Sequence, residues 1–145
     1  MVEHEGALRS IDDRRARELL RSQRLGRVVE RVQDIIEIFP VNYATDGQRI
    51  VFRTAPGTKL AGFVAASEVL FEVDELNDGD AWSVVVRGTP RLIETEAEIA
   101  ELGDLKPQPL LPTVKEQIAV LEINSITGRE FTIGPEPEAE PQTIA

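Results

Sequence analysis

From Gly26 onward the chain is a succession of β-branched and aromatic segments, each closed by a short turn, and this pattern restricts the fold more than any other feature. "GRVVERV" and "DIIEIFPVNYAT" read as two strands joined by a tight turn at Gln33-Asp34. Asp46-Gly47 is a strong hairpin signal and leads into "RIVFRT". "EVLFEVDEL" and "AWSVVVRGTPRLIE" flank the acidic turn "NDGD", and "EQIAVLEINSITGREF" reads as one last strand or as two split at Asn124. Between these lie three helical stretches. Ser10 and Asp13 resemble a capping box for a helix over Ile11–Ser22, "GTKLAGFVAAS" predicts a short helix, and Thr95 with Glu98 forms a capping box before "EAEIAEL". Hairpin links outnumber crossover units, so a mainly β fold with an antiparallel barrel is expected rather than a doubly wound sheet.

A chain of 145 residues supports one domain. Residues 10–133 are expected to form it, with 1–9 a mobile N-terminal tail and 134–145, rich in Pro and Glu, a disordered acidic C-terminal tail. The chain has 26 Asp+Glu against 16 Lys+Arg, a formal charge of -10, which disfavours nucleic acid and anionic membrane surfaces as partners. No apolar run approaches the roughly 20 residues of a membrane span. The first residues, "MVEHEGALRSIDDRRA", lack the apolar centre of a signal peptide, so the cytoplasm is the expected compartment. Absence of cysteine removes disulfides, thiolate metal sites and thiol nucleophiles, and the single histidine, His4, lies in the tail. No metal site is expected, and any chemistry would run on a borrowed cofactor.

Within this acidic chain, Gly47 to Ser67 contains no Asp or Glu but includes Arg49, Arg53 and Lys59. Arg53 and Thr54 close a strand, Ala55-Pro56-Gly57-Thr58 turns, and Lys59 opens the short helix. A planar guanidinium, an ammonium, two threonine hydroxyls and the free N–H groups of a helix start are the parts of a phosphate site, although Walker-loop spacing is absent. The other candidates reduce to structure. Arg14, Arg15, Arg17 and Arg21 read as the wet face of the first helix. "DELNDGD" fails the calcium-loop alternation at Leu76 and reads as a hairpin turn. Asp74 and Glu75 point to opposite faces of their strand. Trp82, beside Ser83, reads first as a core or rim anchor and second as a stacking platform for a planar ligand.

Taken in order, "FPVNYA", "VFRTAPGTKL", "FEVDE", "WSVVVRG" and "ITGREF" resemble the pyridoxamine 5'-phosphate oxidase-like proteins, the flavin-binding split barrels, especially their actinobacterial branch. The resemblance spans about residues 10–132. It implies a six-stranded antiparallel split β-barrel with a few short helices, working as a homodimer with FMN at the interface. The strand matching Pro40, Val41, Asn42 and Tyr43 would lie against the isoalloxazine ring, largely through backbone groups. Arg53, Thr54, Thr58 and Lys59 would hold the FMN phosphate, and Trp82 and Ser83 would reach the flavin from the second subunit. The implied activity is flavin-dependent oxidation or reduction of a small molecule, with no assigned catalytic side chain. The alternatives are use of the deazaflavin F420, or non-catalytic binding or sensing of flavin or haem. Residues 104–116 depart from the family pattern, having neither Trp nor His, and the resemblance does not extend to vitamin B6 oxidation.

Overall fold

The structure is a computed structural model that describes residues 8–54, 62–63, 65–105 and 117–134. Its elements run β1 (Leu8–Ile11), α1 (Asp13–Arg21), β2 (Leu25–Val32), β3 (Ile35–Thr45), β4 (Arg49–Thr54), β5 (Val69–Leu76), β6 (Asp80–Ile93), α2 (Glu96–Leu102) and β7 (Gln117–Thr132). Of the short helix expected over residues 57–67, the described Gly62, Phe63 and Ala65 are helical, and the described Ala66 and Ser67 are not. No described helix is long and apolar enough to cross a membrane.

Every strand pairing is antiparallel, and β7-β4-β3-β2-β5-β6 closes into a six-stranded ring through β6–β7. This is the expected split barrel. β6 accompanies β7 along one edge from Ile118 to Thr132. The other edge is shared: β4 covers Gln117 to Glu122 and β1 covers Gly128 to Phe131. The seam therefore opens where β4 gives way to β1.

Strand alternation fills the ring. Val28, Val41, Tyr43, Ile50, Phe52, Phe71, Val73, Trp82, Val84, Val86, Ala119 and Leu121 point inward, and α1 adds Ala16, Leu19 and Leu20. Tyr43 meets Phe71 edge-on at 4.8 Å. Gly26 makes room for that pair, since a Cβ there would lie 2.2 Å from the Phe71 ring. A second cluster, Val51, Ile93, Leu102 and Val120, seats α2 on the outside of β4 and β7.

Two sequence expectations change. The first helix is capped by Asp12, whose carboxylate accepts from the Arg15 backbone N–H at 2.8 Å, and not by Ser10. Ser10 and Ile11 belong to β1, as do Leu8 and Arg9 from the stretch read as a tail. Four residues carry too short a pattern to announce a strand, and it is the free edge of β7 that recruits them. The final segment is one strand with a bulge. Arg87 faces Ser125 and Gly88 faces Ile123, so Asn124 is the extra residue, and its Nδ2 donates to Thr89 Oγ1 at 2.9 Å. The Thr95–Glu98 capping box forms as expected, and "NDGD" is a hairpin turn in which Asn77 N–H donates to the Asp80 carbonyl at 2.8 Å.

Candidate functional site

The paired strands β3 and β4 set the geometry at the basic stretch. Tyr43 lies opposite Phe52, both buried, and the pairing ends there; one residue further along each strand, alternation turns Asn42 and Arg53 to the outer face. Val41 and Tyr43 are 6% and 2% exposed and turn inward, where the Tyr43 hydroxyl donates to the Leu20 carbonyl at 2.5 Å. Pro40 is exposed and Asn42 half-buried. Of the four β3 residues implied to meet a ligand, Pro40 and Asn42 can therefore offer side chains there, and Val41 and Tyr43 only backbone. Arg53 is half-buried, with its Nε shielded from solvent. Thr54 ends β4, while Thr58, Lys59 and most of the departing 104–116 stretch lie outside the described residues.

The three cations of the carboxylate-free stretch are not equivalent. Asp46, one residue before it begins, turns back and pairs with Arg49, Oδ2 to Nε at 3.2 Å. Hydrogen bonds from the Gln48 and Arg49 backbone N–H groups and the Arg49 charge outweigh burial and hold the Asp46 carboxyl below its ordinary range. Arg49 is thereby committed to its own turn.

Trp82 is 6% exposed and its indole sits in the barrel, with Nε1 donating to Glu75 Oε1 at 3.3 Å. The anchor reading describes its side chain, and stacking on an outer ligand does not. Ser83, the next residue, faces outward opposite Arg129.

The arginines of α1 do more than meet water. Arg17 donates to the Gly47 carbonyl and Arg21 to the Asp46 carbonyl, clamping the β3–β4 turn. A Cβ on Gly47, whose φ is +91°, would lie 2.7 Å from the Arg21 guanidinium. The cleft between this helix and the turn, about 760 Å³, is lined by Arg14, Arg17 and Arg21 but also by Glu18, Asp46 and Glu122, so its charge is balanced.

Two carboxylates were missed by the sequence reading. Glu30 is 2% exposed, in step with Val28 on the inward face of β2, and strand alternation alone would have found it. Glu72 and Asp74, two apart on β5, share the outer face. Arg27, which faces Pro40 across β2 and β3, lies between the pair and the candidate site, 3.6 Å from Glu72 and 3.0 Å from Asp74. Burial first, and then the neighbouring Asp74, push the Glu72 carboxyl up to about 7 despite the opposing Arg27 charge.

The pyridoxamine 5'-phosphate oxidase family matches residues 12–130. A Corynebacterium glutamicum structure provisionally named a pyridoxamine 5'-phosphate oxidase is 45% identical, covers 90% of this chain and 97% of its own, and superposes with a TM-score of 0.81. The structure of an FAD binding protein from Mycobacterium smegmatis is 36% identical, covers 87% of this chain and all of its own, with a TM-score of 0.74. An uncharacterised Mycobacterium tuberculosis protein is 37% identical over 99 residues, 68% of this chain and 89% of its own. A match over most of the barrel, joined to the ring order and the outer β3–β4 face, places the chain in the pyridoxamine 5'-phosphate oxidase family.

Proposed function

We propose that the chain is an FMN-binding split-barrel homodimer acting as a flavin-dependent oxidoreductase on a small molecule. The observation that carries this reading is that strand alternation puts Asn42, beside the last paired rung of β3 and β4, and Arg53, next to last in β4, on the same outer face, a few residues before Thr58 and Lys59 in the sequence. A neutral amide and a half-buried guanidinium suit a flavin, because the ring presents a polar edge and its side chain ends in a phosphate. Arg53, Thr54, Thr58 and Lys59 would hold the phosphate, while Pro40 to Tyr43 would lie along the ring. The M. smegmatis relative binds FAD, and the same cradle serves FMN or the FMN half of FAD. A bound flavin supplies hydride or electron transfer through its ring. The chain's own residues bind and orient it and shape the pocket.

Homodimer formation is supported by the surface of β3. Ile35, Ile36 and Ile38 are 63%, 62% and 61% exposed at the end of the β2–β3 hairpin, an apolar area typical of an interface. Ser83 of a second copy would then complete the site. The direct test is to denature the purified full chain and identify what it releases. One FMN or FAD per chain from a dimer is expected. A protein that carries no flavin and takes up neither FMN nor FAD overturns the reading.

A further inference from the structure

The outer face of β2, β3 and β5 sets an apolar row beside a charged one. Val29 lies opposite Ile38 on one side and Leu70 on the other, so the apolar row crosses all three strands. Two residues along β2, Arg27 lies between Pro40 and Glu72 in the same way. The half-buried Val29 and Leu70 continue the exposed isoleucines of β3, so a surface that covers those isoleucines adjoins the charged row. There the charges do not balance. Arg27 Nη2 donates to both oxygens of Asp74, at 3.0 and 3.2 Å, and its Nε lies 3.6 Å from Glu72, so a single guanidinium answers both carboxylates. Among the described residues no further cation is placed to offset them. Pro40 and Val85, across from Arg27 and Glu72, are apolar, and Ser83, across from Asp74, is neutral. Arg87, two residues beyond Val85 on β6, pairs with Glu68 at 3.5 Å.

We propose that this cluster is a pH-sensitive switch for assembly: a second copy covers the outer face while Glu72 and Asp74 hold one proton between them, and leaves it when both are ionised. The inference rests on the homodimer reading above and names what regulates it. With one shared proton the three groups sum to zero, and with none they carry a net negative charge. Covering that charge strips it of water without supplying a counter-ion, which costs more than covering a neutral, hydrogen-bonded cluster. In the single chain, burial and then Asp74 already push the Glu72 carboxyl up to about 7. A second copy would withdraw it further from water and raise it again. The dimer therefore takes up protons as it forms near neutral pH, and its dissociation constant rises as pH climbs past about 7. Because Ser83 of the second copy would complete the flavin site, mildly acid solution favours the completed site as well.

Sedimentation of the full chain at fixed ionic strength, from about pH 6 to about pH 8.5, tests it. The dissociation constant of the wild-type dimer should rise about tenfold or more across that range. Glu72→Gln and Asp74→Asn each leave one carboxylate for one guanidinium, so both variants should keep the low-pH affinity at the alkaline end. His4 titrates in the same range and is present in wild type and variants alike, so a pH dependence that it causes would survive both substitutions. A wild-type dimer whose affinity is flat with pH, or an equal pH dependence in both variants, would overturn the switch and leave the dimer standing. A chain that is monomeric at every pH overturns the homodimer reading, and the switch with it.

Discussion

Glu72 concentrates the pH sensitivity of the outer face. Its carboxyl is neutral in the folded and unfolded chain below its ordinary value of 4.5, so it costs nothing there. Because burial raises its folded value to about 7, stability from this group is fully present below 4.5 and lost as pH rises through about 7. Glu72→Gln, which copies the neutral carboxyl, should therefore match wild type in urea unfolding at pH 4 and exceed it at pH 8. A variant less stable than wild type at pH 8 would mean the Arg27 pairing dominates. Tyr43 gives the opposite end of the scale. Burial raises its phenol above the ordinary 10.0, so the fold loses stability as pH climbs past 10. Tyr43→Phe removes the hydrogen bond to Leu20 and should cost about 1 kcal/mol at neutral pH. Chemical denaturation of the variant checks this. The candidate site residues were named from the sequence as a set, but which of them turn their side chains outward was not legible there. That depended on phase: odd residues of β3 from Val41 turn inward, which puts Tyr43 in the core and leaves Asn42 outside.

Elements with complete local signals were legible. Thr95 and Glu98 hold both halves of a capping box, and the Asp46-Gly47 turn fixes the β3–β4 hairpin. β1 was not, since it exists through its partner strand. The two possible caps of α1 give a direct comparison. Asp12→Ala should cost about 1 kcal/mol and Ser10→Ala close to nothing, measured by thermal or urea unfolding. A larger loss at Ser10 would restore it as the cap. The bulge in β7 is the other element-scale device. It lets the strand bend between the part that pairs with β4 and the part that pairs with β1. Gly88 sits at that step, where an added Cβ would meet the Glu122 carbonyl oxygen at 2.5 Å and Leu121 Cγ at 2.6 Å. Gly88→Ala must shift backbone to fit and should lose about 1–3 kcal/mol, whereas Gly79→Ala, with nothing within 4 Å, should lose far less.

At the scale of the molecule, the ring closes by pairing strands far apart in sequence, and hairpin signals alone cannot say which strand closes it. The six strands of the ring and their antiparallel sense followed from the turns, while β1 and closure through β6–β7 required the structure. The isoleucines of β3 carry the proposed dimer. Ile38→Asp should turn a dimer into a monomer in sedimentation, and an unchanged dimer would move the interface elsewhere. The basic stretch carries the proposed flavin, and one titration separates a phosphate cradle from a general effect on the fold. FMN and riboflavin share a ring and differ by the phosphate, so both are titrated into wild type, Arg53→Ala and Arg49→Ala. The expected result is a loss of about 10- to 150-fold for FMN at Arg53 with a much smaller loss for riboflavin. Arg49, committed to Asp46, should change neither ligand appreciably. Equal losses of FMN and riboflavin at Arg53 would contradict the phosphate cradle.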